Sequence, residues 1–423
     1  MKKYDLIVIG GGLTGVAAAV SAAREGLSVL LAEQAGYLGG AMTNCLVYPF
    51  MCYWIENDGK YKLLSDGIFT EMRQRTYAYQ EEATQFRLGD FNPEHFKYAL
   101  DDMVEEAGVD VLFHSTLYKV NSEGRNLKSV MLATKQGELE VEADFFIDAS
   151  GDGDLMAFAG CDFQLGRDED NLCQPMTTCF RVANVDDSLL DADSLQDLQA
   201  TYKQFREEQK ISNPRENILQ FTGQGLGHGI VHFNTTRIIK HDPTDPVSLS
   251  KAEILARKQI HEMMTFLKTN HFPAYKNAVL VSSASSIGVR ESRKLKGVHI
   301  LTAEELMEQV QFEDSIALGN YDIDIHNPAG TGTLIRRVPW GKYYSIPYRS
   351  MLPKEFDNLL VSGRCLSATH EAQSAVRIMP ICASLGQAAG TAIAVARNTG
   401  TNVHTLDVPT MRQKLRDNGA AID

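Results

Sequence analysis

Short apolar runs and a long small-residue run alternate along the first thirty-odd positions of the chain. Tyr4-Asp5-Leu6-Ile7-Val8-Ile9 is an apolar block of strand length that breaks at Gly10-Gly11-Gly12-Leu13-Thr14-Gly15. An Ala-rich stretch to Glu25 then reads as a helix, and a second apolar run, Ser28 to Ala32, ends in Glu33. Strand, glycine turn, helix and strand make a βαβ unit. Pro93 after Asn92 predicts a helix start, with Phe96, Leu100, Met103 and Val104 at helical spacing. Val109 to Phe113 reads as a buried strand and Leu117 to Val141 as a small β-meander. Asp144 to Ala149 reads as a further strand, ending at Ser150-Gly151-Asp152-Gly153-Asp154.

The pattern changes after about Gly160. Asp186 to Glu208 is polar and acidic, a surface helix. Ile218 to Phe221 and Ile230 to Phe233 read as strands around the glycine-rich segment 223–229. That segment lacks GxGxxG spacing and reads as a loop or hairpin. Ser250 to Leu267 predicts an amphipathic helix with Ile254, Leu255, Ile260, Met263, Met264 and Leu267 as its apolar stripe. Asn358 to Ser362 is a strand running into Gly363-Arg364, and a small-residue helix follows from about Pro380 to about Val395. These elements predict an α/β fold in which residues 1–160 and 276–423 form one discontinuous Rossmann-like domain. Residues 161–275 form an inserted α+β domain that faces the substrate.

Bulk numbers narrow the function. A chain of 423 residues with 44% apolar and 22% charged residues is ordinary for a globular protein. A net charge of −13 argues against a nucleic-acid partner. The seven cysteines include no CxxC pair, which points to reduced thiols and away from zinc or iron–sulfur sites. Leu6 to Ala23 and Ile378 to Ala396 lack charged side chains, yet three consecutive glycines break the first, and small residues with Pro380 and Gln387 make the second a packed interior helix rather than a membrane span. A cytoplasmic location with no membrane partner is the expectation.

The glycine turn carries the first chemistry. Gly10 permits the tight turn, Gly12 lets the backbone approach a pyrophosphate, and Gly15 lets helix and strand pack closely. Thr14 lies in the same turn. Glu33 follows about 20 residues on, where it can accept hydrogen bonds from a ribose. Two features favour FAD over NAD: Gly39-Gly40 with Thr43 after the second strand, and the far C-terminal strand that ends in Gly363-Arg364 before the Pro380 helix.

At these residues the chain resembles the FAD-dependent oxidoreductases of the glutathione-reductase-like fold. More narrowly, it is similar to a family related to the flavin-carrying part of heterodisulfide reductase. The resemblance rests on Ile147 to Leu155, Gln174-Pro175-Met176-Thr177, Gly288-Val289-Arg290-Glu291-Ser292-Arg293, Asp322 to Pro328, Ile346-Pro347-Tyr348-Arg349 and Asn358 to Gly390. It implies a glutathione-reductase-type FAD domain and FAD as cofactor. It also implies FAD contacts at Leu117, Gly151, Asp152, Gly363 and Arg364, with Gly386, Gln387 and Ala388 near the flavin. The ferredoxin-like cysteine motifs of heterodisulfide reductase are absent from the sequence.

Four residues are candidates for catalysis. Arg290 can clamp a substrate carboxylate, or else Arg290 or Arg293 forms a structural ion pair with Glu291. Asp322, Asp324 and His326 share one face of a strand, so His326 could be a general acid or base or a hydrogen-bonded core histidine. His370 raises the same question nearer the flavin. His232, Asn234 and Arg237 face substrate or solvent. Asp152 and Asp154 could hold a hard cation, although no third clustered acid is evident. Cys45 and Cys52 sit too late and too far apart for the redox pair of disulfide reductases. The expected activity is hydride transfer between a small organic substrate and flavin. The alternatives are an electron-transfer subunit serving a redox protein partner, or a non-catalytic flavin-binding protein.

Overall fold

The computed structural model describes residues 3–79, 89–223, 225–269 and 272–423. Its largest sheet has a parallel portion in the order Asp110–Leu112, Val29–Ala32, Tyr4–Ile9, Gly137–Asp148 and Leu359–Val361. The last two of these bring the middle and the far end of the chain beside the first strand. Leu6, Ile7, Val8, Leu31, Phe146, Ile147, Leu359 and Leu360 are all buried, as a parallel sheet covered on both faces requires.

The last strand of the predicted meander and the strand predicted after it are one element. Gly137–Asp148 pairs antiparallel with Asn126–Thr134 along residues 137–142, then parallel with Tyr4–Ile9 along residues 143–148. Residues 141–144 alternate buried and exposed, and its last four residues are all buried. That change of pattern makes one strand read as two. Asn92 caps the next predicted helix as expected: its side chain accepts from the Glu94 N–H at 2.9 Å, and Pro93 opens the helix Pro93–Glu106.

The helix Leu13–Arg24 lies against the long C-terminal helix Met379–Thr399. Their backbones approach so closely that a Cβ on Gly386 would sit 2.1 Å from the Thr14 carbonyl oxygen, and one on Gly390 2.2 Å from that of Ala18. The C-terminal helix is long and apolar enough to cross a membrane, but it is almost wholly buried inside the fold. Small residues on both helices therefore join the two ends of the chain.

The insertion forms its own antiparallel sheet, in the order Gln220–Phe221, Val231–Phe233, Phe180–Ala183, Val279–Ser283. The helices Ala192–Glu207 and Pro246–Thr269 supply Tyr202, Ile260, Met263 and Phe266 to its separate core. Two expectations need correction. The insertion runs past residue 275, because Val279–Ser283 completes its sheet. Ile254 is 52% exposed, and the buried stripe instead runs through Ala252, Ala256, Ile260, Met263 and Leu267. Small alanines at the correct spacing fill the place that the larger Ile254 was expected to take. Gln224, in the glycine-rich segment, lies outside the described residues.

Candidate functional site: a glycine cradle and an arginine cluster

Gly10 has φ +100°, and a Cβ there would lie 2.5 Å from the Ala149 carbonyl oxygen. Gly15 presses on the same turn, its would-be Cβ 1.7 Å from the Gly10 oxygen. Gly12 differs: its φ is −69°, and a Cβ would meet only the Gly40 Cα, at 3.9 Å. The space beside Gly12 is therefore open. The helix that starts there has no side-chain cap, which leaves its first-turn N–H groups free for an anion. Glu33 lies against this turn, where its carboxylate accepts from the N–H groups of Gly11 at 2.6 Å and Ala35 at 2.7 Å. Gly39 bridges to Gly12, its N–H donating to the Gly11 oxygen at 2.8 Å. The segment before Leu117 runs alongside Glu33, with the Ser115 N–H donating to the Glu33 carbonyl at 3.0 Å.

The other end of the cradle comes from three distant segments. Gly363 has φ +84°, and a Cβ there would lie 2.5 Å from the Thr14 hydroxyl. Thr14 also donates to the Cys382 carbonyl at 3.1 Å. Arg364 reaches the Asp152 carboxylate at 2.7 Å and the Val289 carbonyl at 2.6 Å, and its side chain covers Gly151. Ser292 donates to Asp152 at 2.6 Å, and Arg293 pairs with Asp154 at 2.9 Å. Both aspartates are thus held by arginines, which accounts for them without a cation. The helix Met379–Thr399 also starts without a side-chain cap, leaving free N–H groups and a positive dipole end at Pro380.

Glu291 is fully buried and pairs with neither Arg290 nor Arg293. Its carboxylate accepts from Lys294 Nζ at 2.6 Å, His370 Nδ1 at 2.8 Å and the Gln174 N–H at 3.0 Å. Burial pushes its carboxyl up, but the hydrogen bond from His370 and the charge of Lys294 outweigh this and hold it low. With both oxygens occupied and no exposure, Glu291 orients His370 and Lys294 and is not free to take a substrate proton. His370 is 8% exposed and opens on a cleft of about 410 Å³ lined by Arg167, Asn327, Thr333 and Leu334.

Arg290 points elsewhere. It donates to the Pro175 carbonyl at 2.7 Å and the Thr177 hydroxyl at 2.6 Å, with Asn234 Oδ1 at 3.4 Å. Gln373 ties this region together. Its Nε2 donates to the Arg290 carbonyl at 3.0 Å, and its Oε1 accepts from Gln174 at 3.4 Å. Gln174 Oε1 in turn accepts from the His326 N–H at 3.4 Å. Asp324 Oδ2 accepts from Tyr321 at 3.0 Å and lies 3.5 Å from His326 Nε2. Arg237 Nη2 meets His326 Nδ1 at 3.0 Å, and its Nη1 pairs with Glu216 at 3.2 Å. Thus Asn234 and Arg237 of the insertion do face the candidate residues, whereas His232 is buried between Tyr48 and Phe221.

The profile of the FAD dependent oxidoreductase family matches residues 5–415. The chain belongs to the FAD-dependent oxidoreductase family. It is also 26% identical over 171 residues to Protein FixC of Bradyrhizobium diazoefficiens, a match covering 37% of this chain and 38% of that protein. Among solved structures it is similar to a geranylgeranyl bacteriochlorophyll reductase-like protein from Thermoplasma acidophilum. That likeness has 15% identity and a TM-score of 0.45, and covers 99% of this chain and 83% of the other. A second likeness is to the flavin-dependent brominase Bmp2, with 13% identity, a TM-score of 0.47, and coverage of 98% and 83%.

The FAD-dependent oxidoreductase thus has a cradle that fits its cofactor. Gly10, Gly12, Thr14, Gly15, Glu33, Gly39 and Gly40 could hold the adenosine and pyrophosphate. Gly151, Asp152, Gly363 and Arg364 form the wall nearer the Pro380 helix. The expected flavin contacts at Gly386, Gln387 and Ala388 are corrected by the packing. Gly386 abuts Thr14, Ala388 is fully buried in the core, and Gln387 accepts from the Ile68 N–H and donates to the Asn418 carbonyl. They lie about two turns inside the helix, away from its free end. The cysteines Cys45 and Cys52 are free. Cys45 is pushed up to about 11, chiefly by burial, against the reactive thiolate a redox pair needs.

His326 also departs from the expected acid–base role. A guanidinium cannot accept a hydrogen bond, so the contact from Arg237 leaves Nδ1 unprotonated and puts the ring proton on Nε2, toward Asp324. Burial, then the charge of Arg290, pushes the imidazole down to about 3, against the pull of Asp324. We expect its ring resonances in a pH titration by NMR to stay those of the neutral form from pH 8 to 5. The folded protein then binds fewer protons here than the unfolded chain, from pH 6.5 down to about 3. The contribution of His326 to stability is complete above that window and is lost as pH falls through it. A ring titrating near 6.5 would contradict this assignment.

Sequence reasoning missed Arg377, Arg215, Tyr321, Lys294 and Gln373. Arg377 was visible just ahead of the Pro380 helix, and Gln174 lay inside a family motif. Arg215 sits in an aperiodic segment that offered no signal.

Proposed function

We propose that this FAD-dependent oxidoreductase exchanges a hydride between a small organic substrate and flavin, on a glutathione-reductase-type framework closed by the inserted domain. The observation that carries the reading is the grouping of Tyr321, Asp324, His326 and Arg237 through hydrogen bonds and close pairs, with Arg290 and Arg377 in electrostatic range of Asp324 and of each other, Arg377 standing just ahead of the Pro380 helix. Bound FAD would supply a two-electron acceptor or donor for a hydride on a substrate carbon. The protein's part is to bind and orient. Arg290 is locked by Pro175, Thr177 and Asn234, so its position is fixed before substrate arrives. Asp324 fixes the Tyr321 hydroxyl, and Glu291 fixes His370.

A separation by size tests this reading against service to a protein partner. Ultrafiltration of a cell extract gives a small-molecule filtrate and a protein retentate, each mixed anaerobically with the yellow enzyme. The reading expects the filtrate alone to bleach the flavin, or to recolour it after prior reduction. If only the retentate exchanges electrons with the flavin, the protein serves a redox partner instead.

A further inference from the structure

The region around Gln373 holds more positive charge than its own acids balance. Arg290 lies within electrostatic range of Arg377 and Arg215 there, and Arg215 within range of Arg237. The carboxylates among them are Asp324 and Glu216, with Glu291 near Arg377 already balanced by Lys294, and His326 is neutral by its hydrogen bonding to Arg237. Arg215 is 7% exposed and Arg237 2%. Guanidiniums are seldom buried in excess, because each loses its water and repels the next.

The electrostatics record the same crowding. Burial pushes Arg290 down to about 9, with Arg377 and then Arg215 as the next contributors, which still leaves it cationic at neutral pH. Burial also pushes Arg377 down, opposed by Tyr321 and Asp324. Burial and then Arg237 push Arg215 down.

Arg377 is the unsatisfied member of the group. Its Nε is buried and has no hydrogen-bond partner. It caps the C-terminus of the helix His370–Val376 and directly precedes the free N-terminus of Met379–Thr399. Arg290, by contrast, is anchored by protein oxygens, and Arg237 is divided between Glu216 and His326. A half-buried guanidinium with no acceptor from the protein on its Nε, among other guanidiniums, lacks a counter-charge that a ligand can supply.

We propose that the substrate is an organic anion, and that Arg377 together with Arg290 holds its oxyanion group beside the start of the Pro380 helix. This rests on the proposed use of a small organic substrate but adds its charge class. Carboxylates and phosphate monoesters share the required chemistry. Arg377 binds the oxyanion directly and Arg290 flanks it, while Asp324 stays engaged with the Tyr321 hydroxyl and His326.

The test uses the FAD-loaded enzyme and reads perturbation of the flavin absorbance spectrum during titration with benzoate, succinate, glutarate and phenyl phosphate. The uncharged benzamide, succinamide and glutaramide serve as controls. The proposal expects at least one anion to give a saturable perturbation that its neutral counterpart does not give. Arg377→Met should weaken that anion at least tenfold with FAD content unchanged, and Arg377→Lys should restore part of the affinity. The tightest probe tells carboxylate from phosphate. Equal binding of the amides overturns the proposal, as does the absence of any anion response in enzyme carrying one FAD per chain. Unchanged anion affinity in Arg377→Met, with an altered flavin potential in the free enzyme, also overturns it and assigns Arg377 to the flavin. None of these results depends on electron exchange with a filtrate or retentate, so the proposal and the small-substrate reading fail separately.

Discussion

Glu291→Ala is expected to destabilise the protein by about 3–5 kcal/mol, the usual loss when one partner of a buried ion pair is removed. Lys294 is 1% exposed, and its ammonium would keep only the Gly166 carbonyl at 2.6 Å. His370 would lose its orienting acceptor, and the Gln174 N–H would lose its carboxylate. The effect reaches well beyond residue 291, because Gln174 and Gln373 connect this pair to Arg290 and His326. Urea unfolding of the cofactor-free variant and cofactor-free wild type measures the loss without any contribution from ligand linkage. Glu291→Met combined with Lys294→Met should recover much of the stability, because no buried charge is then left alone. Acid should act in the same direction. The Glu291 carboxyl is held below its ordinary value of 4.5, so its contribution is present above that pH and is lost as pH falls through the lower folded value. A single variant within 1 kcal/mol of wild type, on the scale of an exposed pair, would mean that Glu291 is not the hub of this network.

The N-terminal half of the site was legible because backbone geometry demanded particular residues. Gly10 and Gly15 admit no side chain, so strand, glycine turn and acid appeared as a local pattern. The partnership between chain ends was legible for a similar reason: Gly363, Gly386 and Gly390 are where the C-terminal segment touches Thr14 and Ala18. The same glycines also misled. The family resemblance put Gly386, Gln387 and Ala388 near the flavin, whereas the close neighbour of Gly386 is the opposing helix. The charged residues were legible in type but not in pairing. Arg290, Glu291 and Arg293 are adjacent in sequence, yet they point to Thr177, Lys294 and Asp154. Alternation along the chain sends neighbours to different faces, and the partners come from segments more than 100 residues away in two of the three cases. Arg377 and Arg215 escaped because guanidinium crowding is a property of the assembled interior, not of any window of sequence.

Gly15→Ala and Gly12→Ala should have opposite consequences, although the two glycines belong to one turn. A Cβ on Gly15 would lie 1.7 Å from the Gly10 oxygen and 2.9 Å from its carbonyl carbon. Backbone on both sides cannot yield, so the strand and helix must separate. The expected cost is at or above about 3 kcal/mol, the upper end for overpacking, and folding itself should suffer. At Gly12 the φ is ordinary for any residue and the nearest foreign atom stands 3.9 Å away. The protein has room for that methyl group. A pyrophosphate resting on the helix N-terminus does not, because the backbone must come within hydrogen-bonding distance of its oxygens. Gly12→Ala should therefore leave the fold intact and remove the cofactor. The most direct measurement is a titration of cofactor-free wild type and Gly12→Ala with FAD, together with urea unfolding of both in the absence of FAD. The structure predicts equal unfolding midpoints and FAD affinity at least about 100-fold weaker in the variant, equivalent to about 2.8 kcal/mol. Wild-type FAD affinity in a folded Gly12→Ala protein would contradict the placement of the cofactor on the glycine turn.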